Sequence, residues 1–231
     1  MKQIEEIDSL LNIYKFGSHV YGSNDENSDE DYIVVAREYF PAKDVNLHVF
    51  TVNQFQDLLN DCDIQMLECF FLLDPKCIIK ELHKFDFTLD KSKLRTAIST
   101  IASNSWVKGK KKLTVMGDYD VRLAIKSTFH SLRILDLGIQ IAREGKIIDY
   151  SSSNFILDDL KRLAKEFQHG ELWQKIDEKY RKTFNSRSSE FKALAPKDIK
   201  EINQKEELKK VLNKHGIKND ILADDIFALF K

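Results

Sequence analysis

Two aspartates separated by one residue, Asp29 and Asp31, stand directly before the apolar run 32–36. Side chains of a strand alternate between its two faces, so both carboxylates are expected on one side, one pleat apart. Two negative charges held that close repel each other unless a cation lies between them, and such oxygen ligands suit Mg²⁺. This pair is the candidate metal site of the chain. The other interpretation is an ordinary solvated acidic loop, since further acidic residues surround the pair: Asp25, Glu26 and Glu30.

A second candidate lies ten residues earlier, where Gly17 and Ser18 close the apolar run 13–16. A glycine in a tight turn lets bare backbone N–H groups approach a polyphosphate closely, and the serine adds one hydroxyl. The sequence therefore predicts a phosphate cradle and a metal pair on neighbouring segments.

Together, the stretches Gly-Ser-His-Val-Tyr-Gly and Ser-Asp-Glu-Asp-Tyr resemble the signature of the DNA polymerase β-like nucleotidyltransferases. The resemblance is to an uncharacterised bacterial and phage branch of that superfamily. The signature is a hydrophobic residue, Gly-Ser, about ten further residues, and then Asp-x-Asp entering a hydrophobic strand. Neither half means much alone, but their order, spacing and flanks make a specific pattern. The resemblance covers residues 12–75 and, more weakly, 120–145.

The resemblance implies transfer of an NMP, AMP by preference, from an NTP to an acceptor, with release of pyrophosphate. It implies that Asp29 and Asp31 hold Mg²⁺ or Mn²⁺ in a two-metal scheme, and that Gly17, Ser18 and Ser28 contact the nucleotide. Positioning and charge neutralisation carry most of the catalysis in such chemistry. The acceptor stays open among an RNA 3′ end such as that of tRNA, a protein hydroxyl and a small molecule.

The family usually supplies a third carboxylate on the strand after Asp-x-Asp. The best-matching positions here are Asn46 and His48, and neither is acidic. Three alternatives follow. Asp44 takes the role through a register shift, His48 serves as base or ligand near neutral pH, or the second ion is weakly held and catalysis is impaired. We favour a working site that uses His48 or Asp44; the rivals are a catalytically degenerate nucleotide- or partner-binding protein and a helical interaction protein with an accidental motif.

A later helix, predicted from residue 120 to about 143 and stopped by Gly145, carries a basic stripe. Its residues recur at steps of four, four and three, which places like charges on one face: Arg122, Lys126, His130 and Arg133. In the same family branch a Lys-x-x-x-His-x-x-Arg helix follows the catalytic domain. The resemblance thus implies that Lys126, His130 and Arg133 contact triphosphate or acceptor; the alternative is a solvated basic face.

The elements that position these residues follow from hydrophobic periodicity and turn signals. We predict in order a helix, three strands and two helices, at 3–12, 12–16, 31–36, 45–52, 52–60 and 63–73, with a further short helix starting at Ser18. Beyond residue 90 the pattern is helical, including 155–167 and 171–184, with a polar linker at 185–189. The predicted fold class is an α/β (α+β) nucleotidyltransferase domain with a short mixed sheet, residues 1–90, followed by an all-α domain, residues 91–231.

The composition limits the classes of protein to which this chain can belong. The 231 residues are 42% hydrophobic and 32% charged, which is typical of a globular protein. A net charge of −1 argues against general binding of nucleic acid, although the basic run 108–112 is a local exception. We predict a solvated loop for this run; the alternative is that it steers phosphates or a polyanionic acceptor. The three cysteines lack zinc spacing and are predicted to be buried thiols. The sequence shows no signal peptide or membrane span, so we expect a cytoplasmic protein without a membrane partner.

Overall fold

The computed structural model describes residues 9–24, 26, 28–41, 46–198 and 210. The chain divides into two compact units, Met1–Ala195 and Pro196–Lys231. All helices and strands named below belong to the first unit. Within the described ranges, no helix has both the length and the apolar character needed to cross a membrane.

Four short strands form one mixed sheet in the described part of the chain. They are β1 (Leu10–Phe16), β2 (Asp31–Ala36), β3 (Leu47–Thr51) and β4 (Ile78–Glu81). Their order is β3-β2-β1-β4; β1 is antiparallel to both of its neighbours, whereas β2 and β3 run parallel. The coarse prediction of a small mixed sheet accompanied by helices is confirmed.

The first two strands differ in how well the sequence predicted them. Strand β2 spans the predicted residues, and its apolar run 33–36 is buried, as expected for a strand covered on both faces. Strand β1 begins at Leu10, so the predicted helix is wrong over residues 10–12. Leu10 and Leu11 are buried in the strand, where packing overrides a helical spacing of apolar residues. Residues 3–8 of that predicted helix lie outside the described residues.

Seven helices complete the described elements. They are α1 (Ser18–Tyr21), α2 (Val52–Asn60), α3 (Ile64–Phe70), α4 (Lys91–Thr114), α5 (Val121–Glu144), α6 (Asn154–Glu166) and α7 (His169–Leu194). Helix α5 matches its predicted limits because Asp120 accepts a hydrogen bond from the Leu123 amide at one end and Gly145 adopts a left-handed conformation at the other.

Three local predictions are wrong. The strand β4 was not expected, and it forms because β1 offers it a free edge. The basic run 108–112 lies within α4 rather than in a loop. The predicted linker 185–189 is part of α7, where burial of Phe191 and two hydrogen bonds from Arg187, to the Leu132 carbonyl and the Ser153 hydroxyl, hold the chain helical.

The core is organised around one face of the sheet. Tyr14, Ile33 and Val35 pack with residues of α2 and α3, and the same cluster includes Ile98 of α4 and Ile134 of α5. This cluster therefore joins residues on both sides of the domain boundary predicted between residues 90 and 91. A second cluster, built on residues of α4 to α7, includes Trp106, Leu132, Leu160 and Trp173. The three cysteines are buried free thiols, as predicted: Cys62, Cys69 and Cys77.

Candidate functional site

The bend at Gly17 lies directly against Asp31. Gly17 has a φ of +80°, a conformation that residues with a side chain rarely adopt. A Cβ atom placed on Gly17 would come within 2.9 Å of Oδ2 of Asp31. The two meet because Phe16 and Asp31 are register partners in the antiparallel β1–β2 pair. Both backbone geometry and the neighbouring carboxylate therefore require glycine here.

Within the acidic segment, Glu30 is bonded to one residue of β1 and one of β2. Glu30 accepts hydrogen bonds from Lys15 Nζ at 2.5 Å and from the Tyr32 hydroxyl at 2.6 Å. The hydrogen bond from Lys15, aided by Tyr32, lowers the pKa of the Glu30 carboxyl. Asp31 behaves oppositely: burial, together with the negative charge of Asp29, raises its pKa. Lys15 thus neutralises the charge of Glu30, whereas the negative charges of Asp29 and Asp31 repel each other.

Asp29 and Asp31 could hold a divalent cation only together with ligands from outside the protein. Among the described residues, no three His, Cys, Asp or Glu side chains are grouped as a complete metal cage. Mg²⁺ does not need such a cage, because one or two carboxylates suffice when phosphates and waters fill the remaining positions. Asp29 is exposed and Asp31 is half-buried, and glycine at position 17 leaves space beside Oδ2 of Asp31. The residues present therefore suit Mg²⁺ or Mn²⁺.

His48 lies on the next strand, close to Asp31. It pairs with Ile33 in the parallel β2–β3 register, and Ile33 shares a strand face with Asp31. His48 is exposed, and its charge is the strongest of the neighbouring influences that lower the pKa of Asp31. The Asn46 carbonyl accepts from the Tyr32 amide at 2.8 Å, which places that backbone beside the acidic segment. Asp44 lies outside the described residues.

A cavity of about 870 Å³ opens beside the bend. Its walls combine residues from the α1–β2 region with residues from α4, α5 and α6. Six residues predicted for the site line it: Ser18, Ser28, Asp31, Lys126, His130 and Arg133. Gly17, Asp29 and His48 are not lining residues, but each lies close to Asp31.

Within the basic stripe of α5, Arg133 forms a buried ion pair inside the protein. Its Nη1 donates to Oε1 of Glu68 at 2.8 Å, and its Cζ lies 3.5 Å from the centre of the Tyr21 ring. The Tyr21 hydroxyl donates to the other oxygen of Glu68 at 2.5 Å. Because Tyr21 belongs to α1, Glu68 to α3 and Arg133 to α5, this triad fixes the bend against the cavity wall.

His130 lines the cavity without carrying a positive charge near neutral pH. Burial, together with the charges of Arg133 and Lys108, lowers its pKa from 6.5 to about 4. The expectation of four like charges on the stripe is therefore wrong: His130 is neutral and Arg133 is neutralised by Glu68. Lys126 and Arg122 are exposed and remain the stripe's cations in the cavity wall. Contact of Lys126, His130 and Arg133 with a ligand stays a prediction.

Sequence analysis missed the contribution of α6. Lys161 and Leu157 line the cavity from this helix. Asn154, its first residue, donates from Nδ2 to the carbonyl oxygens of Tyr21 at 2.8 Å and Gly22 at 3.2 Å. No spacing in the sequence links residue 154 to a bend more than a hundred positions earlier, so these partners depend on the tertiary fold.

This chain matches no protein-family model, no curated protein and no solved structure at the significance required. The lining residues are therefore the guide to the chemistry of the cavity. The Asp31 carboxylate lies on one side, and four cations lie on the helical side: Lys108, Arg122, Lys126 and Lys161. Apolar side chains complete the wall, including Tyr21, Ile125 and Phe129. Such a cavity suits a ligand that has an anionic portion and a flat or apolar portion.

Proposed function

We propose that this protein is a metal-dependent nucleotidyltransferase that transfers an NMP, AMP by preference, from an NTP to an acceptor and releases pyrophosphate. The observation that carries the proposal is the contact between the Gly17 bend and Asp31 at a cavity whose helical wall is basic. A glycine bend can approach phosphate with its backbone, and an adjacent carboxylate pair can share a cation with the same phosphates. The resemblance of the two sequence motifs agrees with this arrangement.

Each residue has a separate role in the proposal. Asp29 and Asp31 would hold Mg²⁺ or Mn²⁺, which, when bound, neutralises phosphate charge and favours ionisation of the attacking hydroxyl. Gly17 and Ser18 would bind the terminal phosphates, with Ser28 at the same wall. Lys126 would add positive charge from α5. His48 would accept the proton of the attacking hydroxyl.

The proposal assigns different roles to two segments of the chain. Residues 1–90 would form the catalytic domain, with the bend, the acidic pair and the sheet. Residues 91–231 would form a helical domain whose α5 and α6 supply the basic wall of the cavity. The buried Glu68–Arg133 pair would join the two segments at the cavity, since it ties α3 of the first segment to α5 of the second.

One observation favours a second candidate, a catalytically degenerate protein that binds a nucleotide without reacting it. The strand beside Asp31 presents Asn46 and His48 where the resembling family usually carries a carboxylate. Without that carboxylate the second metal ion would be held weakly, and the cavity would still bind a nucleotide through its remaining groups.

The test is transfer of label from ATP labelled at the α-phosphate, with Mg²⁺ or Mn²⁺ and with total RNA or cell lysate as acceptor. We expect transfer by the wild type, loss in Asp29→Ala and Asp31→Ala, and retention in Asn46→Ala. Glu30→Gln is the matched control, because Glu30 lies between the two aspartates but is bonded to Lys15 and Tyr32. Tight ATP binding without transfer to any acceptor would establish the degenerate alternative. Absence of any NTP-dependent thermal shift would refute both.

A further inference from the structure

A second, smaller hollow adjoins the cavity on the outside of α4. It has a volume of about 310 Å³, and Lys108 belongs to the walls of both hollows. Its remaining wall comes from the same helix and from the loop that follows it: Asn104, Val107, Lys111, Lys112 and Asp118. A ligand that reaches the cavity past Lys108 would therefore continue along this part of α4.

The cations along this path are largely unneutralised. Lys112 pairs with Asp118, but within the described ranges Lys108 and Lys111 have no ion-pair partner. The cavity cations Arg122, Lys126 and Lys161 likewise have none in the described part of the chain. Some lysines and arginines elsewhere on the surface do have an acidic partner, as in the pairs Lys93–Asp61 and Arg143–Glu190. Unneutralised cations gathered along adjoining hollows attract a polyanion.

An exposed aromatic ring stands at the far end of the path. The amide of Asp120 donates to the Lys112 carbonyl, so the loop that carries Tyr119 lies against this end of α4. Tyr119 is 47% exposed, and its ring packs on that of His169 with centroids 4.3 Å apart. A supported, solvent-facing ring beside a row of cations is the combination that binds bases and phosphates of single-stranded nucleic acid.

We propose that the surface formed by Lys108, Lys111 and Tyr119, named here the α4 track, binds a single-stranded polynucleotide whose 3′ end enters the cavity. The identification of that strand as the acceptor rests on the proposed function. Its 3′-hydroxyl oxygen would form a bond to the α-phosphorus of the NTP while the bond to pyrophosphate breaks and the hydroxyl proton passes to a base. An acidic peptide would satisfy the lysines but would present no base to Tyr119, so the observations favour the polynucleotide.

Binding can be measured by fluorescence anisotropy on the full chain with a labelled 20-nucleotide single-stranded RNA of mixed sequence, without NTP or metal, over a series of salt concentrations. We expect Lys111→Ala to weaken binding and to reduce the slope of log K against log[salt] by about 0.7, the value for one lost phosphate contact on a single strand. Tyr119→Ala is expected to weaken binding about fivefold or more without changing the slope, because stacking is not an ionic contact.

The matched control is Lys146→Ala. Lys146 is exposed and follows α5 at the end opposite Arg122, about 36 Å away along a helix of 24 residues. It should bind the oligonucleotide as the wild type does. A DNA strand of the same sequence shows whether the sugar matters, and poly-glutamate as competitor tests the peptide alternative. Equal effects of Lys111→Ala and Lys146→Ala, or displacement by poly-glutamate at the same charge concentration, would overturn the α4 track.

The Asp31→Ala variant separates this inference from the proposed function. It should bind the oligonucleotide as the wild type does while failing to transfer label. Oligonucleotide binding that depends on Lys111, without label transfer by the wild type, would support the track and refute the transferase. Label transfer to a protein or a small molecule, with no binding of either oligonucleotide, would refute the track and leave the transferase standing.

Discussion

Arg133 and Glu68 form an ion pair 2.8 Å long in which each side chain is only 3% exposed. Removing two charges from water is costly, and the attraction between them repays that cost only when their other polar groups are also bonded. Here the second oxygen of Glu68 accepts from Tyr21, and the face of the Tyr21 ring packs on the guanidinium. The pair thus holds Tyr21, which lies four positions after Gly17, in place.

Loss of one partner of this pair should strongly lower the stability of the protein. We expect Arg133→Met to lower the free energy of unfolding by about 3–5 kcal/mol, because it leaves the Glu68 carboxylate buried without a counter-ion. Urea denaturation measures the effect. Arg143→Met is the control, since Arg143 pairs with Glu190 at the surface and should contribute less than about 1 kcal/mol. Adding Glu68→Gln to Arg133→Met should recover part of the loss; no recovery would contradict the charge argument.

Gly17→Ala should impair both the fold and the site. Gly145, with φ +72° and ψ +5°, is in the left-handed helical region, where alanine costs a backbone strain of about 1–2 kcal/mol. Gly17, with φ +80° and ψ −149°, is in a region that is essentially restricted to glycine, so alanine costs more there. Only at Gly17 does the new Cβ meet another atom, Oδ2 of Asp31, whereas nothing lies within 4 Å at Gly145.

Thermal denaturation and an ATP-dependent thermal shift, measured on both variants, distinguish these effects. We expect a larger drop in Tm for Gly17→Ala than for Gly145→Ala, and loss of the ATP- and Mg²⁺-dependent shift in Gly17→Ala alone. An unchanged shift in that variant would show that the bend does not approach the ligand.

His130 should make stability depend on pH. Its pKa falls from 6.5 to about 4 in the folded protein, so between these values the unfolded chain binds more protons than the folded one. Stability therefore rises with pH in this window, and acidification from pH 7.5 to pH 5 should cost about 2 kcal/mol through this residue. His130→Gln should remove that part of the pH dependence in urea titrations. The control His83→Gln should keep it; identical pH profiles for the wild type and His130→Gln would contradict the argument.

His48 can be tested as the group that replaces a third carboxylate. We expect His48→Gln to lower kcat for label transfer by about 10²-fold or more, as for removal of a general base, with little change in the KM for ATP. His83→Gln again serves as the histidine control. Full activity in His48→Gln would assign the role to Asp44 or to no side chain.

Asn46→Asp tests the role of the missing third carboxylate by adding one. Without metal, a new carboxylate at residue 46 should repel Asp31, so the variant should have a lower Tm in EDTA. With metal, the new carboxylate and Asp31 should bind the cation together, so the variant should gain more in Tm than the wild type on adding Mg²⁺. The wild type measured under the same two conditions is the reference. An equal gain in both proteins would mean that residue 46 does not face the acidic pair.

The sequence by itself determined the local parts of this protein. An apolar run after an acidic start predicted β2 to the residue, and Gly145 predicted the C-terminal end of α5. These succeed because strand alternation and left-handed helix ends depend on neighbours within a few positions. The order Gly17, Ser18, Asp29, Asp31 likewise indicated one site, and the β1–β2 register brings Gly17 and Asp31 into contact.

Only the tertiary structure decided what the charges do. Glu68 is on α3, far in sequence from Arg133 and His130 on α5, so spacing alone predicted a solvated or ligand-binding stripe. In the fold, burial makes His130 neutral and pairs Arg133 with Glu68, while Lys161 arrives at the cavity from α6. The reason is physical: the state of a charged group depends on its distance from water and from its counter-ion, and both are properties of the packed chain.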